Sequence, residues 1–320
     1  MKISILIPTY NRPHLLAECL ESCAKQTYAA SEVLIGDDSS NPESEILIRS
    51  LGVKSNFHYV KNTPALGQAD NIDSLIRKAN GDLLCLIHDD DKLELNALEK
   101  LSQIFMTDPE VAISFGKQYI ISNEGNVNEN ASVHLNDAYS RIADKAGKQP
   151  DIVKSAILQQ VPNNGFLVKA GYAKEIGYSK AGKKYGDACD LGFALELALA
   201  YPNMKAFFIN EYTAYYRLSS TSISRSKSIN NAAYKEFLNL YSLADTKYKY
   251  DSEVTRHLEE KAPAAIANAI QLNELKDAKK WLFSRYHKRK LISPGGVRRM
   301  LSLAIGTIKT NLTRRCSQLR

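Results

Sequence analysis

Long apolar runs are missing from this chain of 320 residues. The longest candidate near the C-terminus, MLSLAIGTI, is about half of the roughly 20 residues that a bilayer-spanning helix needs. The opening MKISILIPTY holds one Lys and a β-branched run too short for a secretion-signal core, with no small-residue cleavage site. Cysteine is sparse: Cys19, Cys23, Cys85, Cys189 and Cys316 are scattered and odd in number, from which neither a disulfide framework nor a metal box follows, and they read as buried or inert thiols. The sequons at Asn130 and Asn311 carry no weight without a secretion signal. Two phosphate-binding signatures are also absent. No GxGxxG follows the first strand, against a dinucleotide-dependent dehydrogenase, and no GxxxxGK[ST] occurs, against P-loop chemistry. These absences predict a reduced, cytoplasmic protein that touches a membrane only at its surface.

What is present is a globular composition, 44% hydrophobic and 24% charged, enough for one large α/β domain or two ordinary ones. The net charge of +7 divides unevenly. From Lys276 to Arg320 there are 13 Lys+Arg and one acid, Asp277, a local +12; residues 1–275 hold 29 bases and 34 acids, or −5. A mildly acidic body argues against a nucleic-acid platform, which needs a basic face.

Hydrophobic patterning predicts buried strands at 3–8, 32–36, 57–60, 82–87 and 111–115, alternating with helices from Pro13, over 43–51, over 68–79 and over 94–106. That alternation predicts a mostly parallel, doubly wound sheet, whose ligand crevice lies outside the carboxyl ends of the strands. Three polar clusters fall there: Thr9-Tyr10-Asn11, Asp37-Asp38 and Asp89-Asp90-Asp91. Residues 122–150 read as a polar loop with little core. A helix over 152–160, strands at 166–168 and 206–217 and a helix over 189–200 follow. Beyond about 228 everything reads helical, with Pro294-Gly295-Gly296 as a break before a final segment, 297–315.

Three consecutive carboxylates repel one another unless a cation neutralises them, and Mg²⁺ or Mn²⁺ takes one or two carboxylates plus phosphate oxygens. A helix cap accounts for the same acids, since a helix follows at 94. Asp37-Asp38 suits hydrogen bonding to a nucleobase or ribose, or equally a turn before Pro42. Tyr10 suits stacking on a base, or ordinary packing at the rim.

The strings ISILIPTYNRP, EVLIGDDSS and GDLLCLIHDDD, in this order and spacing, resemble family 2 glycosyltransferases of the GT-A fold. Between them, NTPALGQADNIDSLIRKANGD matches that family's stretch at Asn62, Gly67, Asn71, Ala79 and Gly81. VPNNGFLVKAGYAKEIG resembles its acceptor-side segment, and YYRLSSTSIS its closing motif. The resemblance spans about residues 1–225. It implies a catalytic domain over 1–225, with a nucleotide-sugar half (1–116) and an acceptor half (117–225), followed by a helical basic extension over 226–320. It also implies a metal-dependent enzyme moving a sugar from a nucleotide sugar, a UDP-sugar first, to a polysaccharide or lipid-linked glycan, with inversion. Carried over residue by residue, it puts Pro8, Thr9, Tyr10, Asp37, Asp38, Asn71, Asp89 and Arg217 at the donor. His88, Asp90 and Asp91 go to the Mg²⁺ or Mn²⁺, and YGDACD supplies the general base, Asp187 first and Asp190 in reserve. Asp187 equally suits a cap for the helix at 189–200, and Arg217 a structural pair with an acid of the body. His88 stands where the family often begins a run of four acids, and Ser219 where it often has His. The alternatives are a degenerate sugar-nucleotide-binding scaffold at the membrane or a sugar nucleotidyltransferase. The latter needs a glycine-rich basic loop after the first strand, which IPTYNRP lacks.

In the tail, Val297, Met300, Leu301, Ala304, Ile305, Ile308 and Leu312 share one helical face, with Arg298, Arg299, Lys309, Arg314 and Arg315 around it. A basic amphipathic helix suits the anionic inner face of the cell membrane; it also suits packing on the acidic body.

Overall fold

The computed structural model describes residues 1–51, 56–218 and 231–318, with side chains through residue 308. Ser219, singled out in the closing motif, lies outside the described residues, as do the side chains of Lys309, Leu312, Arg314 and Arg315. The chain divides into two compact units, Met1–Lys184 with Cys189–Ser222, and Tyr185–Ala188 with Ile223–Arg320.

The first unit begins with β1 (Ile3–Thr9), α1 (Pro13–Ala24), β2 (Glu32–Asp37), α2 (Glu43–Ser50), β3 (Phe57–Lys61), α3 (Gln68–Lys78) and β4 (Leu83–Leu86). It continues through β5 (Lys92–Leu93), α4 (Ala97–Thr107), β6 (Val111–Ile121), α5 (Glu129–Ala138), β7 (Gly147–Lys148) and α6 (Ile152–Ile157). It closes with β8 (Phe166–Lys169), α7 (Ala170–Ile176), α8 (Tyr178–Tyr185), α9 (Cys189–Ala200) and β9 (Lys205–Arg217). One nine-stranded sheet runs β3-β2-β1-β4-β8-β6-β9-β5, with β7 beside β9. Every residue of β1, β2 and β4 is buried, the signature of parallel strands covered on both faces. Pro13 opens α1, where its fixed φ and missing N–H cost nothing, and Leu15, Leu16, Cys19, Leu20 and Cys23 turn inward. They meet Ile3, Ile5, Ile7, Val33, Ile35 and Cys85 in the core. Each such aliphatic side chain stabilises by about 1.5–3 kcal/mol when buried.

Strands β3, β2, β1 and β4 are all parallel, in the register Thr9↔Asp37 and Leu6↔Leu86. The other half is mixed: β8 enters antiparallel between β4 and β6, β6 and β9 are parallel, and β5 and β7 are antiparallel to β9.

Two expectations from the sequence are corrected. Residues 122–150 are not a coreless loop but carry α5, capped by the Asn128 side chain accepting from the Ala131 N–H at 3.0 Å. Its buried residues are polar because they replace a missing strand. Along β6, β8 reaches only Ile113 and Ser114. Beyond that, Ser132 Oγ accepts from the Ile120 N–H (2.8 Å), and the Asn136 amide both accepts from and donates to the Gln118 backbone (3.1 and 2.9 Å). Backbone groups that a sheet would pair are thus paired by side chains. The second correction is that Pro294 does not break the chain; it starts the final helix.

The second unit contains α10 (Ala232–Thr246), α11 (Ser252–Gln271), α12 (Leu275–Leu282) and α13 (Pro294–Gln318). Trp281, Phe237 and Tyr234 form its aromatic centre. Asp251 caps α11 through the N–H groups of Glu253 and Val254. Pro263 lies inside α11 and has no N–H for the Glu259 carbonyl; Lys290 Nζ donates to that carbonyl instead, at 2.6 Å. Among the described residues no helix is long and apolar enough to cross a membrane.

Candidate active site

The parallel register brings the ends of β1, β2 and β4 to one edge, where the three polar clusters lie. The Asp38 N–H donates to the Thr9 carbonyl at 3.0 Å, and the Ile87 N–H to Leu6 at 3.0 Å, carrying the ladder to the mouth. There Pro8 and Thr9 are buried and Tyr10 is exposed, its ring open to solvent.

Asp37 is fully buried; it accepts from the Ser39 N–H (2.7 Å), the Tyr59 hydroxyl (2.6 Å) and Lys61 Nζ (3.1 Å). Burial alone would raise its pKa, but these donors outweigh it and hold the carboxyl below its usual value. Asp38 accepts from Asn62 Nδ2 (2.8 Å) and from the N–H groups of Leu66 (3.1 Å) and Gly67 (2.8 Å). It thereby fixes the loop that enters α3, where Gly67 has φ +83°. Asn71 is buried: its Nδ2 donates to the Gly36 carbonyl (2.8 Å) and its Oδ1 accepts from Asn62 (3.1 Å). The described contacts of Asp37, Asp38 and Asn71 thus shape the floor of the crevice.

The acidic turn divides its labour. Asp89 faces β1, accepting from Thr9 Oγ1 (2.7 Å), the Tyr10 N–H (3.2 Å) and Arg12 (3.3 Å). Arg12 also reaches Asp90 Oδ2 at 2.7 Å. Asp91 is buried and accepts from the Arg217 N–H (2.8 Å) and from Asn164 Nδ2. Donor atoms of His88, Asp90 and Asp91 lie within 4.8 Å of one another. His88 Nε2 is buried without a hydrogen-bond partner and stands 3.8 Å from Asp190 Oδ1. Burial pushes Asp91 up to about 8, with Asp90 adding to it, and raises Asp89 against the pull of Arg12. Burial would lower the His88 pKa, but the four carboxylates of Asp190, Asp91, Asp90 and Asp89 raise it overall. Negative charge held this close, with an orphaned imidazole nitrogen facing it, fits a divalent cation with mixed N and O ligands, as Mn²⁺ accepts.

Arg217 was expected at the donor phosphate or, equally, in a structural pair with an acid of the body. Its guanidinium is buried and donates to the carbonyls of Asp90 (2.8 Å), Ser122 (3.1 Å) and Asn123 (2.6 Å) and to Glu18 (2.7 Å). It braces the acidic turn from behind. Asp190 lies in the first unit, at the start of α9, and accepts from the Tyr178 hydroxyl. Asp187 belongs to the second unit, where its carboxylate accepts from the Asn231 N–H at 2.8 Å. Sequence reasoning passed over Arg12, Asn164 and Tyr178. Arg12 and Asn164 sit inside quoted motifs, IPTYNRP and VPNNGF, so the signal was present but unassigned.

The glycosyl transferase family 2 model matches residues 4–161, which carry all three clusters. Over residues 4–161 the chain is a glycosyl transferase family 2 domain. Curated relatives of this chain include the GalNAc(5)-diNAcBac-PP-undecaprenol β-1,3-glucosyltransferase of Campylobacter jejuni, 26% identical over 41% of this chain and 42% of the relative. Another is the UDP-Glc:α-D-GlcNAc-diphosphoundecaprenol β-1,3-glucosyltransferase WfgD of Escherichia coli, 27% identical over 38% of this chain and 47% of the relative. The chain spans less than half the length of these curated relatives. Among solved structures, S. aureus TarS 1–349 in complex with UDP-GlcNAc matches with a TM-score of 0.59 at 14% identity, over 97% of this chain and 92% of TarS 1–349. The fold is therefore the GT-A α/β arrangement with C-terminal helices.

Proposed function

We propose that this chain transfers a sugar, with inversion, from a nucleotide sugar to a lipid-linked glycan acceptor at the inner face of the cell membrane. The observation that carries this reading is the convergence of His88, Asp90 and Asp91 at the carboxyl edge of the parallel strands, with Asp190 beside them. A UDP-sugar is the preferred donor, by likeness to the UDP-GlcNAc complex and to the UDP-glucose-dependent relative. The lipid-linked acceptor is proposed by likeness to the two undecaprenol-linked relatives.

Mg²⁺ or Mn²⁺, when bound by His88, Asp90 and Asp91, would neutralise charge on the diphosphate leaving group. The chain's own residues do the rest. Tyr10, exposed at the mouth, stacks on the base, and the Asp37–Asp38 floor sets the depth at which the nucleoside rests. Asp89 is fastened to Thr9, the Tyr10 backbone and Arg12, which sets its place near the ribose. Of the two acids weighed from the sequence, Asp190 is the general base in this proposal, reversing their order. Its carboxylate is partly exposed, sits in the unit that holds the metal ligands and is oriented by the Tyr178 hydroxyl. It takes the proton from the acceptor hydroxyl as the oxygen attacks the anomeric carbon from the face opposite the leaving group.

Calorimetric titration with UDP, with and without Mn²⁺, tests the reading; no metal-dependent binding overturns it. Asp190→Asn is expected to cut transfer about 10²-fold or more with UDP binding unchanged. Full transfer in that variant, with loss in Asp187→Asn, restores the other acid as base.

A further inference from the structure

Helix α13 faces two ways. On one side Gly296, Arg299, Leu303 and Gly306 lie against the rest of the second unit. A Cβ on Gly296 would stand 2.0 Å from the Lys290 carbonyl, and one on Gly306 3.1 Å from Leu275. Arg299 Nε donates to the Pro263 carbonyl at 3.0 Å, and Leu303 is buried. Glycines at two of these four positions let α13 approach closely through its backbone, and among its residues with described side chains Leu303 is the one large aliphatic turned inward.

Those residues point elsewhere. Val297, Leu301, Ala304, Ile305 and Ile308 fall within an arc of about 100° on the opposite side. Val297 is 42% exposed, Leu301 61%, Ile305 54% and Ile308 59%, and Ile292, just ahead of the helix, is 92% exposed. A helix that merely completed a core would turn this stripe inward; here it is the side carrying the two glycines, Arg299 and Leu303 that is seated. Contiguous aliphatic side chains left in water mark a surface that is covered by something else.

We infer that this stripe of α13 is a docking surface for an anionic lipid bilayer, into whose interface Val297, Leu301, Ile305 and Ile308 insert. Charge selects this occupant. Residues 276–320 hold 13 bases and one acid. Lys276, Lys279, Lys280, Lys288, Arg289 and Arg298 are exposed, and Arg298 follows Val297 directly at the edge of the stripe. A second copy of the chain would oppose one strongly positive segment with another. An anionic headgroup layer instead neutralises these cations while its acyl region accepts the aliphatic side chains. The stripe belongs to the second unit and the acidic turn to the first, and no residue of one is a residue of the other, so the inference is tested apart from the transfer reaction.

The test uses the full-length chain with vesicles of phosphatidylcholine alone and of phosphatidylcholine mixed with phosphatidylglycerol, read by co-sedimentation. Binding to the anionic vesicles only is expected, weakened by salt. Leu301→Asp/Ile305→Asp and the milder Leu301→Ser/Ile305→Ser are expected to weaken it about tenfold or more. Both pairs are exposed, so melting temperature and UDP binding stay at wild-type values and report a folded protein. Wild-type binding in both double variants overturns the proposal, as does no binding by the wild type. So does a concentration-dependent dimer, seen by light scattering and abolished by either double variant, in a protein that ignores vesicles.

Discussion

Three side chains from distant parts of the sequence hold the acidic turn in shape: Arg12 at the mouth of β1, Asn164 ahead of β8 and Arg217 at the end of β9. Asn164 itself accepts from Gln118 Nε2 at 2.7 Å, and Gln118 accepts from the buried Arg141 at 2.8 Å, so a polar chain runs from Arg141 to Asp91. Removing a link strands buried polar groups. Asn164→Ala is expected to destabilise by about 1–3 kcal/mol in urea denaturation and to weaken Mn²⁺ binding. Arg217→Met uncovers three carbonyls and is expected to cost about 3 kcal/mol or more. Asp37 provides a pH test. Its folded pKa is depressed, so the stability it contributes is complete above its unfolded value of about 3.9 and is lost as pH falls through the folded one. The stability gap between wild type and Asp37→Asn, measured in denaturant, is expected to be constant from neutral pH to about pH 5 and to close below about pH 4.

At the level of elements, the parallel half of the sheet is legible in the sequence because strands covered on both faces read as unbroken apolar runs, as ILIP in β1 and LLCL in β4 do. Hydrophobic period carries no direction, so the antiparallel entry of β8 between β4 and β6 left no trace in it. Helix α5 was hidden for a related reason: its packed residues, Ser132 and Asn136, are polar by necessity, since they bond the uncovered edge of β6. The clusters at the strand ends were visible as residue types in order, whereas Arg12, Asn164 and Arg217 work through partners roughly 70 or more positions away. Two element-scale outcomes follow. Gly36→Ala would drive a methyl group to 2.0 Å from Asn71 Oδ1 and is expected to cost about 1–3 kcal/mol or prevent folding, seen as a lowered melting temperature. Lys290→Met leaves the Glu259 carbonyl beside Pro263 without its donor, and an increase in amide exchange along α11 is expected.

At the scale of the whole chain, the charge of +7 resolves into a body at −5, which contains the acidic turn, and a segment at +12, which carries α13. A fragment ending at residue 161 contains the whole family-matched stretch and every residue of the acidic turn. It is nonetheless expected to show no Mn²⁺-dependent UDP binding by calorimetry, because Asn164, Asp190 and Arg217 lie beyond it. The Arg217–Glu18 pair joins residues 199 positions apart in sequence. This has a consequence during synthesis. A chain emerging from the ribosome has its acids long before it has the arginine that braces them, and long-range closures of this kind form late in folding. The brace on the acidic turn therefore arrives with β9, rather than growing with chain length.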